Sequence, residues 1–242
     1  MPPKKKSPAL AQRQTEQTKQ KQKQKTRQII WFSTVGILLA LCIIVLVIPT
    51  KPSNEAAAEA TFDYASLPVL GDPNAPIKIV EFGDYKCPAC SIFNELVKPQ
   101  IQSDYVDQGK AAFYFMNFPF ISSDSDTAAL AAQAVYHQSN EAFWSYFDAL
   151  YKNQGEESAQ WATVDFLVEL AEKENIGIDY ELLRKDIEEK TYQKEVDEHR
   201  NMANQLRIGG TPSLFINGKL YQGHFEDYAA IKELIENELK GE

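Results

Sequence analysis

The stretch IKIVEFGDYKCPAC, residues 77–90, decides the fold. Its first six residues are rich in β-branched side chains and are bounded by Pro and Gly, which predicts a short buried strand over 77–82. After the second cysteine, apolar residues recur at helical spacing. Cys87 and Cys90 therefore stand where a strand gives way to a helix, and the second thiol can close on the first within one helical turn.

A cysteine at the start of a helix is the part of this motif that carries chemistry. Unpaired N–H groups and the helix dipole favour an anion there, so we expect the pKa of Cys87 to fall and its reactive thiolate to be enriched. Pro88 suits a first helical turn because its missing N–H has no helical partner to lose. Lys86 is expected to add a positive charge. Ala89 supplies no polar group, which predicts a less extreme stabilisation of the thiolate.

Two simpler roles for the cysteine pair stay open. A zinc site needs two further ligands, and outside the pair the chain offers only Cys42 and three histidines without paired metal spacing. A purely structural disulfide is the other possibility, although so small a loop stabilises a fold little. The 34 acidic residues show no EF-hand-like spacing, so no calcium role is assigned. We expect neither a metal nor a cofactor.

The remainder of the chain alternates strand and helix signals. A strand is predicted over 111–118, and a helical block of some eighty residues follows, beginning with an Ala-rich helix over 123–138. Two short strand signals flank Asn217-Gly218, which is a strong hairpin pattern, and an amphipathic helix is predicted over 226–239. The order fits an α/β fold of the thioredoxin-like type with a helical insertion at about 122–207, although the pattern alone leaves other α/β folds open.

The first 48 residues differ in character from the rest. Residues 1–28 carry nine Lys/Arg and one acid, with almost no large apolar side chains, so we expect a disordered basic tail. Residues 29–48 form an uncharged run of twenty residues, long enough as a helix to cross about 30 Å of hydrocarbon. The positive-inside rule places the tail in the cytoplasm and the rest outside. A cleaved signal peptide stays open as the main alternative, and a lipoprotein site at Cys42 is a weaker one.

The charge distribution excludes one class of function for the folded part. Removing the tail's +8 from the total of −9 leaves −17 on residues 29–242. Nucleic-acid binding needs a basic face, so we expect none. Residues 49–64 are predicted to be a linker that leaves the membrane, and residues 65–242 to be the catalytic domain. The expected location is the cell membrane, with a single pass and an extracytoplasmic domain.

The run VEFGDYKCPACSIFNELV at 80–97, the downstream Thr-Pro before a strand and the helical block between them carry a family resemblance. Together they resemble the DsbA-like thiol–disulfide oxidoreductases, most closely their membrane-anchored Gram-positive members of the BdbD type. The resemblance covers roughly residues 65–240. It implies a thioredoxin-like fold whose redox pair is Cys87 and Cys90.

Three further site residues follow from this resemblance. It implies a cis bond between Thr211 and Pro212 beside the active disulfide, where the backbone pairs with an extended substrate. It also implies that Glu81 is a buried acid near Cys90 that assists proton transfer, with a pKa raised by burial. From the residues alone, a solvated charge at a strand edge remains the alternative for Glu81.

The expected reaction is the introduction of disulfide bonds into unfolded or reduced secreted proteins. The resemblance implies a separate quinone-linked membrane protein that reoxidises the pair. Ala89 stands where enteric DsbA has a histidine, which affects the expected potential and not the reaction class. Two alternatives stay open: a reductase of extracytoplasmic disulfides, and a non-catalytic membrane-tethered binding module.

Overall fold

The computed structural model describes residues 59–241. The predicted tail at 1–28, the predicted membrane span at 29–48 and most of the predicted linker lie outside these residues. Within 59–241, no helix combines the length and the apolar character needed to cross a bilayer.

A five-stranded mixed sheet forms the centre of the fold. Its strands are β1 (Val69–Leu70), β2 (Ile77–Gly83), β3 (Ala111–Asn117), β4 (Ser213–Ile216) and β5 (Lys219–Leu220), in the order β1-β3-β2-β4-β5. β2 lies in the middle, parallel to β3 and antiparallel to β4. The strands predicted over 77–82 and 111–118 are confirmed to within a residue at their ends.

The helices surround this sheet. They are α1 (Pro88–Leu96), α2 (Lys98–Ile101), α3 (Ser123–Gln138), α4 (Asn140–Lys152), α5 (Val164–Lys173), α6 (Tyr180–Glu188), α7 (Gln193–Gln205) and α8 (Tyr228–Lys240). One turn of π-helix, Gln102–Val106, continues α2, and a single 3-10 turn, Tyr64–Ser66, precedes β1. Helices α3 to α7 occupy the connection between β3 and β4, where the helical insertion was expected, and we call them the insertion.

Alternation along β2 divides the apolar core into two layers. Ile77 and Ile79 point to the face covered by α1, α8 and the insertion, whereas Val80 and Phe82 point to the opposite face. Glu81 follows Ile79 at the strand period of two and therefore points toward α1. The opposite face is closed by Phe62, by α7 and by the segment before β1.

The β4–β5 connection is the hairpin that Asn217-Gly218 predicts. Both residues have positive φ, 49° and 80°, as a two-residue turn of this kind requires. The Asn217 side chain also accepts a hydrogen bond from the Lys78 backbone N–H at 2.8 Å, which ties the turn to β2.

The boundary of the predicted linker at residue 64 needs correction. Phe62 is buried against Phe82 and Phe215, with ring centroids 6.0 and 5.4 Å away, and the Ala60 N–H donates to the Gly218 carbonyl at 2.8 Å. Residues 59–64 therefore belong to the packed domain, because the Phe62 ring packs on the face of the sheet opposite α1.

Candidate active site

Cys87 and Cys90 follow β2 and lie at the start of α1, as predicted. Cys87 is the N-cap residue of α1 with extended backbone angles, and Pro88 is the first helical residue. The Cys90 N–H donates to the Cys87 carbonyl at 3.1 Å, which closes the first turn. Both cysteines are free thiols in this structure, and Cys90 is fully buried while Cys87 retains 7% of its surface. An approaching reagent therefore meets Cys87 first.

The Thr-Pro segment before β4 covers the cysteine pair. The Thr211–Pro212 bond is cis, as the resemblance implied, and the Cys87 thiol donates to the Thr211 carbonyl oxygen at 3.3 Å. These residues are 124 positions apart in the chain. They meet because β4 pairs with β2, so that the segment before β4 arrives beside the segment after β2.

The two thiols have opposite pKa shifts. The pKa of Cys87 falls to about 6, chiefly because the Cys90 thiol donates to its sulfur, and the backbone N–H groups of Cys90 and Ala89 add to this; burial opposes it. Burial raises the pKa of Cys90 well above its ordinary value, and the donated hydrogen bond and the charge of Glu81 add to that rise. Cys87 is therefore the cysteine of the pair that ionises near neutral pH.

The Thr211 hydroxyl also acts on this pair. It lies near both sulfur atoms and lowers both pKa values. Its oxygen is buried and makes no hydrogen bond of standard geometry with any described residue, so its effect on the two pKa values is that of a hydroxyl placed to donate toward either sulfur.

Glu81 is buried under the pair, and the alternative of a solvated strand-edge charge is wrong. The side chain has no exposed surface, and neither carboxylate oxygen has a hydrogen-bond partner among residues 59–241. Burial raises the pKa of Glu81 to about 8; Lys98 lowers it and Cys87 raises it. A carboxyl group that titrates near neutral pH can take and return a proton at the pH of the reaction.

Lys86 does not serve as the cation beside Cys87 that the sequence suggested. Its ammonium turns away into the insertion, where it contacts the Asp124 carboxylate at 2.6 Å and the Ala159 carbonyl at 2.7 Å. Burial alone raises the pKa of Asp124, but hydrogen bonds from Lys86 and Ser122 outweigh it and hold that pKa below its usual range. The Lys86 charge is therefore paired with that of Asp124, and this ion pair anchors the loop between β2 and α1 to the insertion.

Two further side chains that sequence reasoning missed fix the same loop. The Asp84 carboxylate accepts hydrogen bonds from the backbone N–H groups of Lys86, Phe120 and Ile121 at 2.9 to 3.1 Å. The Gln154 amide donates to the carbonyls of Tyr85 at 2.8 Å and Cys87 at 3.1 Å. No local pattern marks these contacts, because Phe120 and Ile121 lie 36 and 37 positions from Asp84, and Tyr85 and Cys87 lie 69 and 67 positions from Gln154.

Within the part of the chain that the structure describes, no group of three or more His, Cys, Asp or Glu side chains is placed to hold a metal ion. His199 is buried, accepts a hydrogen bond from the Asn117 backbone N–H, and has a pKa lowered to about 4 by burial.

Comparison with known proteins agrees with this geometry. The family model described as Thioredoxin matches residues 65–237. The chain is 34% identical over 210 residues to the probable disulfide bond formation protein D of Bacillus cereus, covering 85% of this chain and 96% of that one. It is 36% identical to disulfide bond formation protein D of Bacillus subtilis, covering 79% and 85% of the two chains.

Solved structures extend the comparison. The oxidised crystal structure of BdbD from Bacillus subtilis superposes with a TM-score of 0.72 at 36% identity, covering 76% of this chain and 99% of that chain. The crystal structure of Chlamydia trachomatis DsbA gives a TM-score of 0.65 at 28% identity, covering 76% and 95%. The chain belongs to the thioredoxin family, among the DsbA-like disulfide bond formation proteins. It is a thiol–disulfide oxidoreductase with the DsbA fold that the sequence predicted.

Proposed function

We propose that this protein introduces disulfide bonds into reduced or unfolded secreted proteins through Cys87 and Cys90. The observation that carries the proposal is the asymmetry of the pair: a low-pKa thiol at a helix N-terminus above a buried, high-pKa thiol. A stabilised Cys87 thiolate favours the reduced form of the enzyme, so the disulfide is readily passed on. The relatives' printed names, which describe disulfide bond formation, support this direction.

The chemistry proceeds through a mixed disulfide. A substrate thiolate attacks the Cys87 sulfur of the Cys87–Cys90 disulfide, and the Cys90 sulfur leaves with the electron pair and takes a proton from Glu81. A second substrate thiolate then attacks the substrate sulfur bound to Cys87. The Cys87 thiolate leaves, so the substrate is oxidised to a disulfide and the enzyme is reduced to a dithiol.

A cleft beside the pair supports a protein substrate. It has a volume of about 340 Å³ and is lined by the Thr-Pro segment, by β4 and β5 and by the connection to α8, including Gly210, Pro212 and Phe225. An extended peptide laid along this segment would present its thiol to Cys87, with main-chain hydrogen bonds that do not depend on the substrate sequence. The proposed substrates are thus reduced chains of varied sequence.

The protein is proposed to work at the outer face of the cell membrane. The basic tail and the uncharged run at 29–48 support a single pass with the tail in the cytoplasm. A quinone-linked membrane thiol oxidase is the proposed partner that restores the disulfide. Protease added to intact cells should remove the domain and leave the tail; a mature chain that begins near residue 58 would instead establish cleavage and refute the anchor.

The experiment that tests the reaction uses the full chain and a reduced secreted substrate. Wild type should form substrate disulfides, Cys87→Ser should not, and Cys42→Ser should behave as wild type. Unchanged activity in Cys87→Ser would refute the assignment, and binding without redox cycling would make the protein a binding module.

The direction of the reaction is tested by the reduction potential of the pair. A Cys87 pKa of about 6 lies between the roughly 7 of thioredoxin and the roughly 3.5 of DsbA. We therefore expect a potential between their values of about −270 and −120 mV. A potential at or below the thioredoxin value would favour a reductase.

A further inference from the structure

Gln154 follows α4 and reaches the active-site loop from the insertion. Its half-buried side-chain amide donates from one nitrogen to two backbone carbonyls, that of Tyr85 at 2.8 Å and that of Cys87 at 3.1 Å. Both neighbours are acceptors, so the nitrogen of the amide and not its oxygen must face them. This nitrogen carries two hydrogens and can therefore serve both carbonyls at once.

The peptide unit between Tyr85 and Lys86 is held at both ends by side chains. Its N–H group, which belongs to Lys86, donates to the Asp84 carboxylate at 2.9 Å. Its carbonyl, which belongs to Tyr85, has Gln154 as its sole donor among residues 59–241. The orientation of this peptide, two positions before the outer thiol, therefore depends on the Gln154 amide.

The second carbonyl that Gln154 holds is the one at which α1 begins. The Cys87 carbonyl also accepts the Cys90 N–H at 3.1 Å and the Ser91 N–H at 3.2 Å, the first hydrogen bonds of the helix. In this position of Cys87 the backbone N–H groups of Ala89 and Cys90 face its sulfur. Gln154 thus contacts the backbone of the residue whose thiol reacts, from the side that the helix does not cover.

The backbone around Gln154 is itself fixed. Its N–H donates to the Tyr151 carbonyl at 3.3 Å, and the same carbonyl accepts the Ser91 hydroxyl of α1 at 3.3 Å. The next residue, Gly155, packs so closely on Trp161 that an added Cβ would lie 2.7 Å from the indole ring. A side chain that starts from so constrained a backbone can hold its acceptors in one geometry.

We propose that Gln154 is a positioning residue for thiol–disulfide exchange: its amide holds the Tyr85 and Cys87 carbonyls so that Cys87 stays at the helix start with its sulfur facing the helical N–H groups. The proposal rests on the proposed function and deepens it, because it gives the insertion a part in the reactivity of the outer cysteine. Without the amide these carbonyl dipoles can turn, and the helix start stabilises an anion less well.

The test measures alkylation of Cys87 by iodoacetamide in the reduced full chain as a function of pH, with the Cys87 peptide quantified by mass spectrometry. The thiolate displaces iodide, so the midpoint reports the pKa of Cys87, which is about 6 in the wild type. Gln154→Met keeps the length of the side chain and removes the donor. It should raise the midpoint by roughly half a pH unit to one pH unit.

A control and a second measurement separate positioning from a merely structural role. Gln160→Met removes a glutamine of the same connection that donates to the Ser123 hydroxyl, and it should leave the midpoint unchanged. A less stabilised thiolate disfavours the reduced enzyme, so Gln154→Met should shift the exchange equilibrium with glutathione about three- to fivefold toward the disulfide at pH 7. A structural role would lower resistance to urea and leave both readouts where they are.

Gln154→Asn keeps the proposal testable if the methionine variant does not fold. It retains an amide that is one methylene too short to reach both carbonyls, so it should move the midpoint in the same direction by less. An unmoved midpoint in the folded Gln154 variants, or an equal shift in Gln160→Met, would overturn the inference. Either result is distinct from a failure of the proposed function, in which the wild-type chain would not oxidise a reduced secreted protein, whatever the pKa of Cys87.

Discussion

The buried carboxyl of Glu81 makes folding stability depend on pH in a direction unusual for an acid. Its pKa rises from the ordinary 4.5 to about 8 on folding. The folded protein therefore keeps a proton that the unfolded chain releases, and stability is lost as pH rises through this window. One pH unit corresponds to about 1.4 kcal/mol, so relative to acid pH the folded protein loses about 3 kcal/mol of stability at pH 7 and about 5 kcal/mol above pH 9.

Glu81→Gln removes this pH dependence because an amide does not ionise. Relative to wild type, the variant should gain about 3 kcal/mol of unfolding free energy between pH 4 and pH 7. Urea unfolding of the reduced full chain at a series of pH values, followed by tryptophan fluorescence, measures the difference. Packing of the amide adds an offset that is the same at every pH. Glu141→Gln, at an exposed position of α4, is the control. A difference between Glu81→Gln and wild type that stays constant with pH would refute the reasoning.

The remaining predictions concern the thiols and the loop around them. Alkylation of Cys87 should accelerate with pH and level off above about pH 6, where its pKa lies, while Cys90 stays unreactive until the protein unfolds. Lys86→Met should lower the unfolding free energy by about 3–5 kcal/mol, because its carboxylate partner on α3 is left buried without a counter-charge. Gly83→Ala should cost about 1–3 kcal/mol by overpacking, since an added Cβ would lie 2.5 Å from an aromatic carbon of β3.

A contradicting alkylation result and two control variants check these three predictions. An alkylation midpoint near pH 9 would show that the Cys90 thiol and the N–H groups at the helix start do not stabilise the Cys87 thiolate. Arg184→Met breaks an exposed ion pair with Asp165 and should cost less than about 1 kcal/mol; an equal loss in Lys86→Met would contradict the buried-pair argument. Gly177→Ala, where an added Cβ meets nothing within 4 Å, should be close to neutral.

Features of the fold that are determined by residues close together in the sequence could be predicted. β2, β3, α3 and the β4–β5 hairpin all begin or end where Pro, Gly, Ser or Asn-Gly determines the backbone. Less regular features could not be predicted: α1 is followed by a second short helix and a π-helical turn, whereas the apolar spacing after Cys90 predicts only a helix. The sequence also predicts a linker at Phe62, because nothing near this residue in the chain shows that it contacts distant strands.

The candidate site likewise contains some residues that the sequence reveals and others that it does not. Cys87 and Cys90 could be identified from their spacing after a strand, and Glu81, Thr211 and Pro212 were found only through a family resemblance. The partner of Lys86 could not be predicted, because a lysine next to a cysteine in sequence need not face it, and a buried carboxylate on the insertion attracts it more strongly. Gln154 lies in the insertion and acts on the Tyr85 and Cys87 carbonyls, more than sixty positions away, so it has no local signature.

Thr211, which covers Cys87, lies far from it in the sequence, and this separation has a consequence during synthesis of the protein. The 124 residues from Cys87 to Thr211 emerge from a ribosome in about 6 to 25 s at 5–20 residues per second. Throughout that interval the nascent chain carries Cys87 and Cys90 without the loop that later covers them and without the insertion that later anchors them. The enzyme is thus, for some seconds of its own synthesis, an unfolded dithiol of the kind proposed as its substrate.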